Sequence, residues 1–417
     1  MQMNSRTIFD AVICGAGPAG STAAILLARA GWAVALVEKQ RFPRRKVCGE
    51  CVAASNLPLL DALGIGAEFA ALAGPVLRQV TLYRGASGVT AALPAADHAQ
   101  HPWGRALGRE ALDTLLIQQA RALGVAVLQP WSVHAITGVP GDWRCDVRGM
   151  ASSVALRLRA AIVIDAHGSW EAPPAGMPQR AAPRSAADLF AFKANFNSAA
   201  HATGVISVLA LDGGYGGMVV ADGGVTTVAC CVRRDRLNTL RRAASGMRAG
   251  NAVQAWLQRE NAGVRRALRS AMRDGPWLAC GPIQPGQRIT ADDGVFRIGN
   301  AAGEAHPILG EGMSMALQSA ALLCSHLLGS KALISAGDDS VHAALHRRYA
   351  QDWQRDFAPR LHLAAAFAHA AMRPLSAALL MSVARTWPGL LTQGARWGGK
   401  VRAVTSTTLE TAAAGTL

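Results

Sequence analysis

The chain has 417 residues, of which 51% are hydrophobic and only 17% charged. Such a chain is neither disordered nor a single small core; it suits two intertwined domains with an appendage. Its formal charge of +15 invites a nucleic-acid partner, but the arginines are dispersed and no basic block alternates with aromatics, so none is expected. Mean hydropathy is +0.18, yet no uncharged apolar stretch of about 20 residues stands out. No signal-peptide pattern precedes the first strand. The eight cysteines are scattered through apolar segments, which points to a reducing cytoplasm.

Phe9 to Cys14 reads as a short apolar strand, Ser21 to Ala30 as a helix closed by Gly31, and Ala33 to Val37 as a second strand. At the first switch of this βαβ unit stands Gly15-Ala16-Gly17-Pro18-Ala19-Gly20. The first glycine permits a tight turn, the second lets backbone approach a pyrophosphate, and the third packs helix on strand. Glu38, with Lys39 beside it, ends the second strand where a carboxylate can hold ribose hydroxyls. Arg41, Arg44, Arg45 and Lys46 form a basic turn, suited to phosphates or an acidic substrate, or simply solvated. Cys48-Gly49-Glu50-Cys51 has redox spacing but follows a Pro43 loop instead of a strand, so ordinary packing remains the alternative.

Helical and strand patterns alternate at Glu110 to Leu123, Val125 to Leu128 and Ala161 to Ile164. Val76 to Leu93 and Leu189 to Val232 differ: short strands with Gly-rich turns predict a mostly antiparallel sheet. Such a sheet would roof a substrate cavity. Tyr215 lies in Gly213–Gly217, where backbone can approach a ligand, and is a catalytic candidate; Tyr215 and Trp277 also read as cavity lining or core. Cys230 and Cys231 share a strand and point to opposite faces, so they cannot chelate together, and no metal site is expected.

Nearly three hundred residues after the first loop comes a second, Ile298 to Met313, again between strand and helix. Two such loops describe one long cofactor gripped at two points, FAD, with its isoalloxazine near the second. Gly299, Asn300, Gly310, Gly312 and Met313 are the binding candidates there. His306 has an ordinary pKa near neutrality and could carry a proton, or be structural. Beyond about Gly329 the chain turns helical, with Asp338 to Phe357 and Pro359 to Ala371 as separate helices and a frayed tail from Thr405. Leu361 to Ala384 is apolar but interrupted by His362, His369, Arg373 and Pro374. It would pack on the FAD domain or rest on an anionic surface, the inner face of the membrane being a site of peripheral contact.

The expected division is 1–75, 105–175 and 280–330 for the cofactor, 76–104 and 176–279 for the substrate sheet, and 331–417 for the helical region.

The succession of the Gly15–Gly20 loop, Arg41 to Glu50, Gly108-Arg109-Glu110-Ala111-Leu112-Asp113 and the Gly299–Gly312 run resembles the FAD-dependent superfamily of p-hydroxybenzoate hydroxylase. It is most similar to the branch of geranylgeranyl reductases, flavin-dependent halogenases and UbiH-like hydroxylases, over roughly residues 9 to 330. The resemblance implies an α/β fold: a Rossmann-like FAD-binding domain of the glutathione reductase type, an interleaved antiparallel substrate sheet and a C-terminal helical region. It implies that the second loop meets the ribityl chain and sets a helix N-terminus at the flavin pyrimidine edge, favouring the anionic reduced ring. It also implies that Arg109 reaches FAD and, in the reductase branch, that Cys48 lies against the ring.

Three positions depart from the family pattern. Asn300 stands where an aspartate is usual, and Ala302 or Gly303 replaces a histidine. Asp165-Ala166-His167-Gly168 replaces an Ala-Asp-Gly element linked to FAD and transient NAD(P)H binding. Electrons would come from transient NAD(P)H or from a separate flavin reductase. The leading expectation is a monooxygenase that uses O₂ and a flavin C4a-hydroperoxide to hydroxylate an aromatic or lipophilic small molecule, in secondary or lipid-quinone metabolism. Reduction of isoprenoid C=C bonds is the alternative. Halogenation follows, since the Trp-x-Trp-x-Ile-Pro signature of one halogenase branch is missing, and a non-enzymatic flavoprotein comes last.

Overall fold

Strand Ile8–Cys14 is apolar along nearly its whole length because it is covered on both faces. In the computed structural model, which describes residues 8–168, 174–177, 184–289, 293–335 and 339–401, it lies at the centre of a seven-stranded sheet. The order is Ala126–Leu128, Val34–Val37, Ile8–Cys14, Ala155–Asp165, Asp142–Gly149 and Trp131–Val139, with Phe296–Arg297 beside the end of Ala155–Asp165. The first four strands and Phe296–Arg297 run parallel, whereas Trp131–Val139 and Asp142–Gly149 join antiparallel. Helices Pro18–Arg29, Arg109–Ala122 and Gly312–Leu327 bury one face through Ile25, Leu116 and Leu317. Trp143, Cys145 and Val147 close the other over Val12 and Val163.

The two antiparallel strands and the first half of Ala155–Asp165 were not expected. Their outer side alternates charges, giving cross-strand pairs such as Arg157–Asp146 at 2.7 Å and Arg159–Asp142 at 2.8 Å, and this masks the strand pattern. The first helix begins at Pro18, earlier than the sequence suggests, because Pro occupies its first turn without losing a needed donor.

The second sheet also has seven strands: Met272–Ile283, Leu189–Asn197, Thr226–Arg233, Gly214–Val220, Val205–Leu211, Gln79–Arg84 and Ser87–Ala92. Only the Gln79–Arg84 and Val205–Leu211 pair is parallel. Alternation sends Phe192, Ala194 and Phe196 outward, under helices Arg234–Ala243, Ala249–Glu260 and Ala262–Ala267. Ala191, Tyr215 and Ile283 point inward. Cys230 and Cys231 do fall on opposite faces.

The two expected C-terminal helices are one, Asp339–Ala371, running through Pro359. Phe357, Leu361 and Ala364 on either side of the proline are buried in the FAD-domain core, and that packing outweighs one missing backbone donor. Helices Pro374–Thr386 and Gly389–Trp397 follow and cover the inner face of the second sheet. Contrary to the sequence expectation, Gly312–Ile334 is long and apolar enough to cross a membrane. It is a core helix here, with Leu317, Leu323 and Leu327 fully buried. Ser169 and the tail from Thr405 lie outside the described residues.

Trp353 fills the junction of the long helix with the FAD domain and has no exposed surface. Trp353→Ala should cost about 3–5 kcal/mol of unfolding free energy, measured by urea denaturation.

Candidate functional site

The first loop is as tight as its glycines allow. Gly15 has φ +103°, and a Cβ there would press on the carbonyl oxygen of Ala166 at 2.7 Å. A Cβ on Gly20 would collide with the carbonyl oxygen of Gly15. Gly17 caps the helix and is open: its would-be Cβ meets only Arg109 Nη2, at 3.7 Å. The backbone donors of the first helical turn are thus uncovered, with the positive end of the helix dipole behind them. Glu38 is buried, taking the Ala16 N–H at 3.0 Å on Oε2 and the Gln40 N–H at 2.8 Å on Oε1.

The second loop abuts the first. Gly299 (φ +58°) would bring a Cβ within 3.0 Å of Ala19 Cβ. Gly310 turns left-handed at φ +65°, and Gly312 opens helix Gly312–Leu327 with nothing within 4 Å of its would-be Cβ. Both helix N-termini therefore open on one cavity of about 680 Å³, lined by Gly15, Gly17, Pro18, Ala19, Glu38 and Lys39 and by Gly299, Asn300, Gly310, Gly312 and Met313. Two anion-binding helix ends, a ribose-competent carboxylate and open backbone at Gly17 and Gly312 fit a dinucleotide of FAD's length. Arg109 lines the cavity and is held by a two-point pair with Asp113, at 2.7 and 2.8 Å.

A buried charge cluster lies under the Cys48 loop. Lys193 Nζ and the Thr227 hydroxyl both donate to the Glu50 carboxylate, and the Arg109 N–H reaches Glu50 Oε1 at 3.3 Å. Glu50 holds a left-handed φ of +61° without being glycine, so its position is enforced by these partners. Glu50 was seen only as a motif letter and Lys193 was missed; the available signal was a lysine inside the apolar run Phe190 to Phe196. The Glu50 N–H meets Cys48 Sγ at 3.4 Å. Both Cys48 and Cys51 line the cavity as free thiols. Burial raises the Cys51 thiol to about 11, which disfavours the thiolate that a redox pair requires.

Tyr215 and His306 meet as the roof closes on the second loop, hydroxyl to Nδ1 at 3.2 Å. Tyr215 faces the cavity. His306 does not: the lining passes through Ala305 and Pro307, and the Tyr215 hydroxyl connects it to the cavity. Burial, aided by His369 with ring centroids 5.5 Å away, lowers His306 to about 4, so it is neutral near pH 7. Burial and the neighbouring Cys231 raise Tyr215 well above its usual value, so its proton stays on.

Arg45 is placed elsewhere than expected. It bridges Glu110 at 2.9 Å and Asp274 at 2.7 Å, clasping the two layers outside the cavity, while Arg44 and Lys46 face inward. Trp277 packs against Phe196 on the outer side of the roof and donates to Gln254 at 3.1 Å. His167 lines the cavity, with its ring bonded to the Asp165 carboxylate. Lys400 was also missed: it reaches in from the C-terminal segment and pairs with buried Glu311 at 3.2 Å. Among the described residues no cluster suits a metal ion.

Residues 9–354 match the family described as "FAD binding domain". Short stretches match curated proteins: 52% identity over 64 residues with tryptophan 2-halogenase of Chondromyces crocatus, covering 15% of this chain and 12% of that protein. Menaquinone reductase of Mycolicibacterium smegmatis gives 46% over 63 residues, 15% of each. The chain thus aligns with only a small part of these relatives' length. Over nearly whole chains the fold is shared with the flavin-dependent brominase Bmp2 (17% identity, TM-score 0.74, 98% of both chains). It is shared with P. aeruginosa PqsL in complex with 2-aminobenzoylacetate (18%, TM-score 0.65, 94% of this chain and 99% of that one). A geranylgeranyl bacteriochlorophyll reductase-like protein of Thermoplasma acidophilum also shares it (17%, TM-score 0.66, 98% and 96%).

Lys193→Met strands the Glu50 carboxylate and should cost about 3–5 kcal/mol, whereas Lys193→Met with Glu50→Gln should cost less than the single change; urea titration of both variants checks this. His306 protonates more readily unfolded (ordinary value 6.5) than folded (about 4). Its contribution is therefore fully present above pH 6.5 and is lost as pH falls towards 4. At about 1.4 kcal/mol per pH unit this amounts to about 3 kcal/mol. His306→Gln should flatten that part of the stability–pH curve.

Proposed function

The chain belongs to the FAD-binding-domain family, and from that premise we propose that this FAD-dependent oxidoreductase is a monooxygenase of a lipophilic small molecule with an aromatic ring. The carrying observation is the cavity reached by both glycine loops, whose roof-side wall is apolar: Val80, Leu82, Ile283, Ile308, Phe367 and Leu380. Such a wall binds an apolar substrate and keeps water from a reactive centre. FAD, when bound, supplies the two-electron redox chemistry. The backbone N–H groups of Gly17 and Ala19 would donate to its pyrophosphate, with Pro18 shaping the first helical turn, Glu38 would take the ribose, and the N-terminus at Gly312 and Met313 would offer positive potential to the ring edge. The Tyr215 hydroxyl is the polar anchor on the roof, set by His306 for a substrate hydroxyl.

Electrons arrive from NAD(P)H bound transiently, or from a separate flavin reductase; the βαβ loop and Glu38 being given to FAD supports a donor without a dinucleotide site of its own. The free thiols support action in a reducing cytoplasm.

One observation favours a second reading, reduction of an isoprenoid double bond. Tyr215 presents its hydroxyl to the apolar space, the placement that proton donation to a carbon requires.

The FAD-loaded protein, reduced without oxygen and mixed rapidly with O₂ and a long-chain phenol, should show a transient flavin spectrum, unlike either end state, and release hydroxylated phenol. Anaerobic reoxidation by an unsaturated prenyl lipid would decide for the reductase instead. Tyr215→Phe separates the two readings further: prenyl reduction would fall by roughly 100-fold or more for loss of a general acid, while oxygenation would change mainly in KM.

A further inference from the structure

Helix Pro374–Thr386 is apolar on both sides. Ala377, Met381 and Ala384 are buried against the roof sheet, and Leu380 between them lines the cavity. On the opposite side Leu375, Leu379 and Val383 recur every fourth residue and are 88%, 66% and 40% exposed. Trp387, just before the next helix, and Trp397, its last residue, are 56% and 62% exposed. Single exposed apolar residues are ordinary on a soluble surface, but two leucines and a valine on one helix side, with two exposed tryptophans in the segment that follows, are not.

The helices that carry the stripe bear charge of one sign, and the nearby Asp212 is already paired with Arg236. From Phe357 to the end of the described residues there is no aspartate or glutamate. Arg373, Arg385 and Arg396 are exposed beside the apolar residues, and none forms an ion pair with a carboxylate among the described residues. The stripe is also firmly mounted. Arg84 donates to the Pro374 carbonyl at 3.1 Å and Thr392 to the Ala92 carbonyl at 2.7 Å, tying both helices to the edge of the roof sheet.

We propose that this face, helices Pro374–Thr386 and Gly389–Trp397, docks on an anionic lipid bilayer. Leucine and tryptophan would sit at the boundary between headgroups and acyl chains, with the arginines among the phosphates. A second copy fits less well: a two-fold contact would bring this patch and its arginines Arg373, Arg385 and Arg396 against the same patch of the partner, whose two helices carry no carboxylate to receive them. Docking would place Leu380 and Leu391, which wall the cavity on the other side of the same helices, between the bilayer and the site. A lipophilic substrate could then pass inward between these helices without crossing bulk water. The docking does not depend on which reaction the flavin performs.

The full chain loaded with FAD is mixed with vesicles of phosphatidylcholine alone or with phosphatidylglycerol added, and sedimented. The protein should partition at least about tenfold better onto the anionic vesicles, with the preference falling as salt rises. Tryptophan emission should shift to the blue on binding. Leu375→Glu with Leu379→Glu lies on the exposed side, so FAD content and thermal midpoint should be kept while partitioning is lost. Equal sedimentation with both vesicle types, or no loss in the double variant, overturns the proposal. A concentration-dependent dimer that the double variant abolishes, without vesicle binding, would assign the face to a second copy.

Discussion

Glu50 and Lys193 form the constraint on which the cavity depends. One belongs to the loop that carries Cys48, the other to strand Leu189–Asn197 of the roof, and neither has meaningful contact with water. A buried charge whose partner moves away is left with most of its desolvation penalty. The roof therefore cannot slide along the cofactor domain by one residue pair without stranding both groups. Thr227 on the next strand and the Arg109 backbone take the remaining capacity of the same carboxylate. The pair contributes registry more than net stability, and registry is what brings Tyr215 over the second glycine loop.

Much of the cofactor half was legible because local chemistry dictates it. Gly15, Gly17 and Gly20 each answer a separate steric demand, and a helix that starts where backbone must meet phosphate leaves little choice of neighbours. The antiparallel pair Trp131–Val139 and Asp142–Gly149 was not legible. Its arginine and aspartate residues are satisfied across strands, a relation that no window of sequence contains. The continuous helix through Pro359 failed for the same reason: the packing that holds Phe357 and Leu361 comes from the FAD-domain core.

The site followed a similar rule. Residues offered through backbone, such as Gly299, Gly310 and Gly312, line the cavity from one loop. Residues acting through long side chains are not placed by their loop alone. Arg45, one position from Arg44, swings to the rim to meet Glu110 and Asp274 while Arg44 turns inward. His306 lies in the loop as expected but behind Tyr215, one layer from the open space. Lys400 joins from nearly one hundred residues beyond the loop it serves, beyond the reach of any motif.

The cofactor site is assembled late along the chain. The first glycine loop is synthesised well before its partners: the strand Phe296–Arg297 and the loop that touches Ala19 come some 280 residues later. Until that segment leaves the ribosome the parallel sheet has an unpaired edge, and the first helix has no Gly312–Leu327 to cover it. A nascent chain of this kind exposes apolar strand and helix surface for much of its synthesis, the state in which misassembly competes with folding. A cofactor gripped by both loops meets its complete site only after that long-range pairing, and a ligand that prefers the native form draws the equilibrium toward it. Flavin supply during translation would then govern the yield of folded protein as well as its activity.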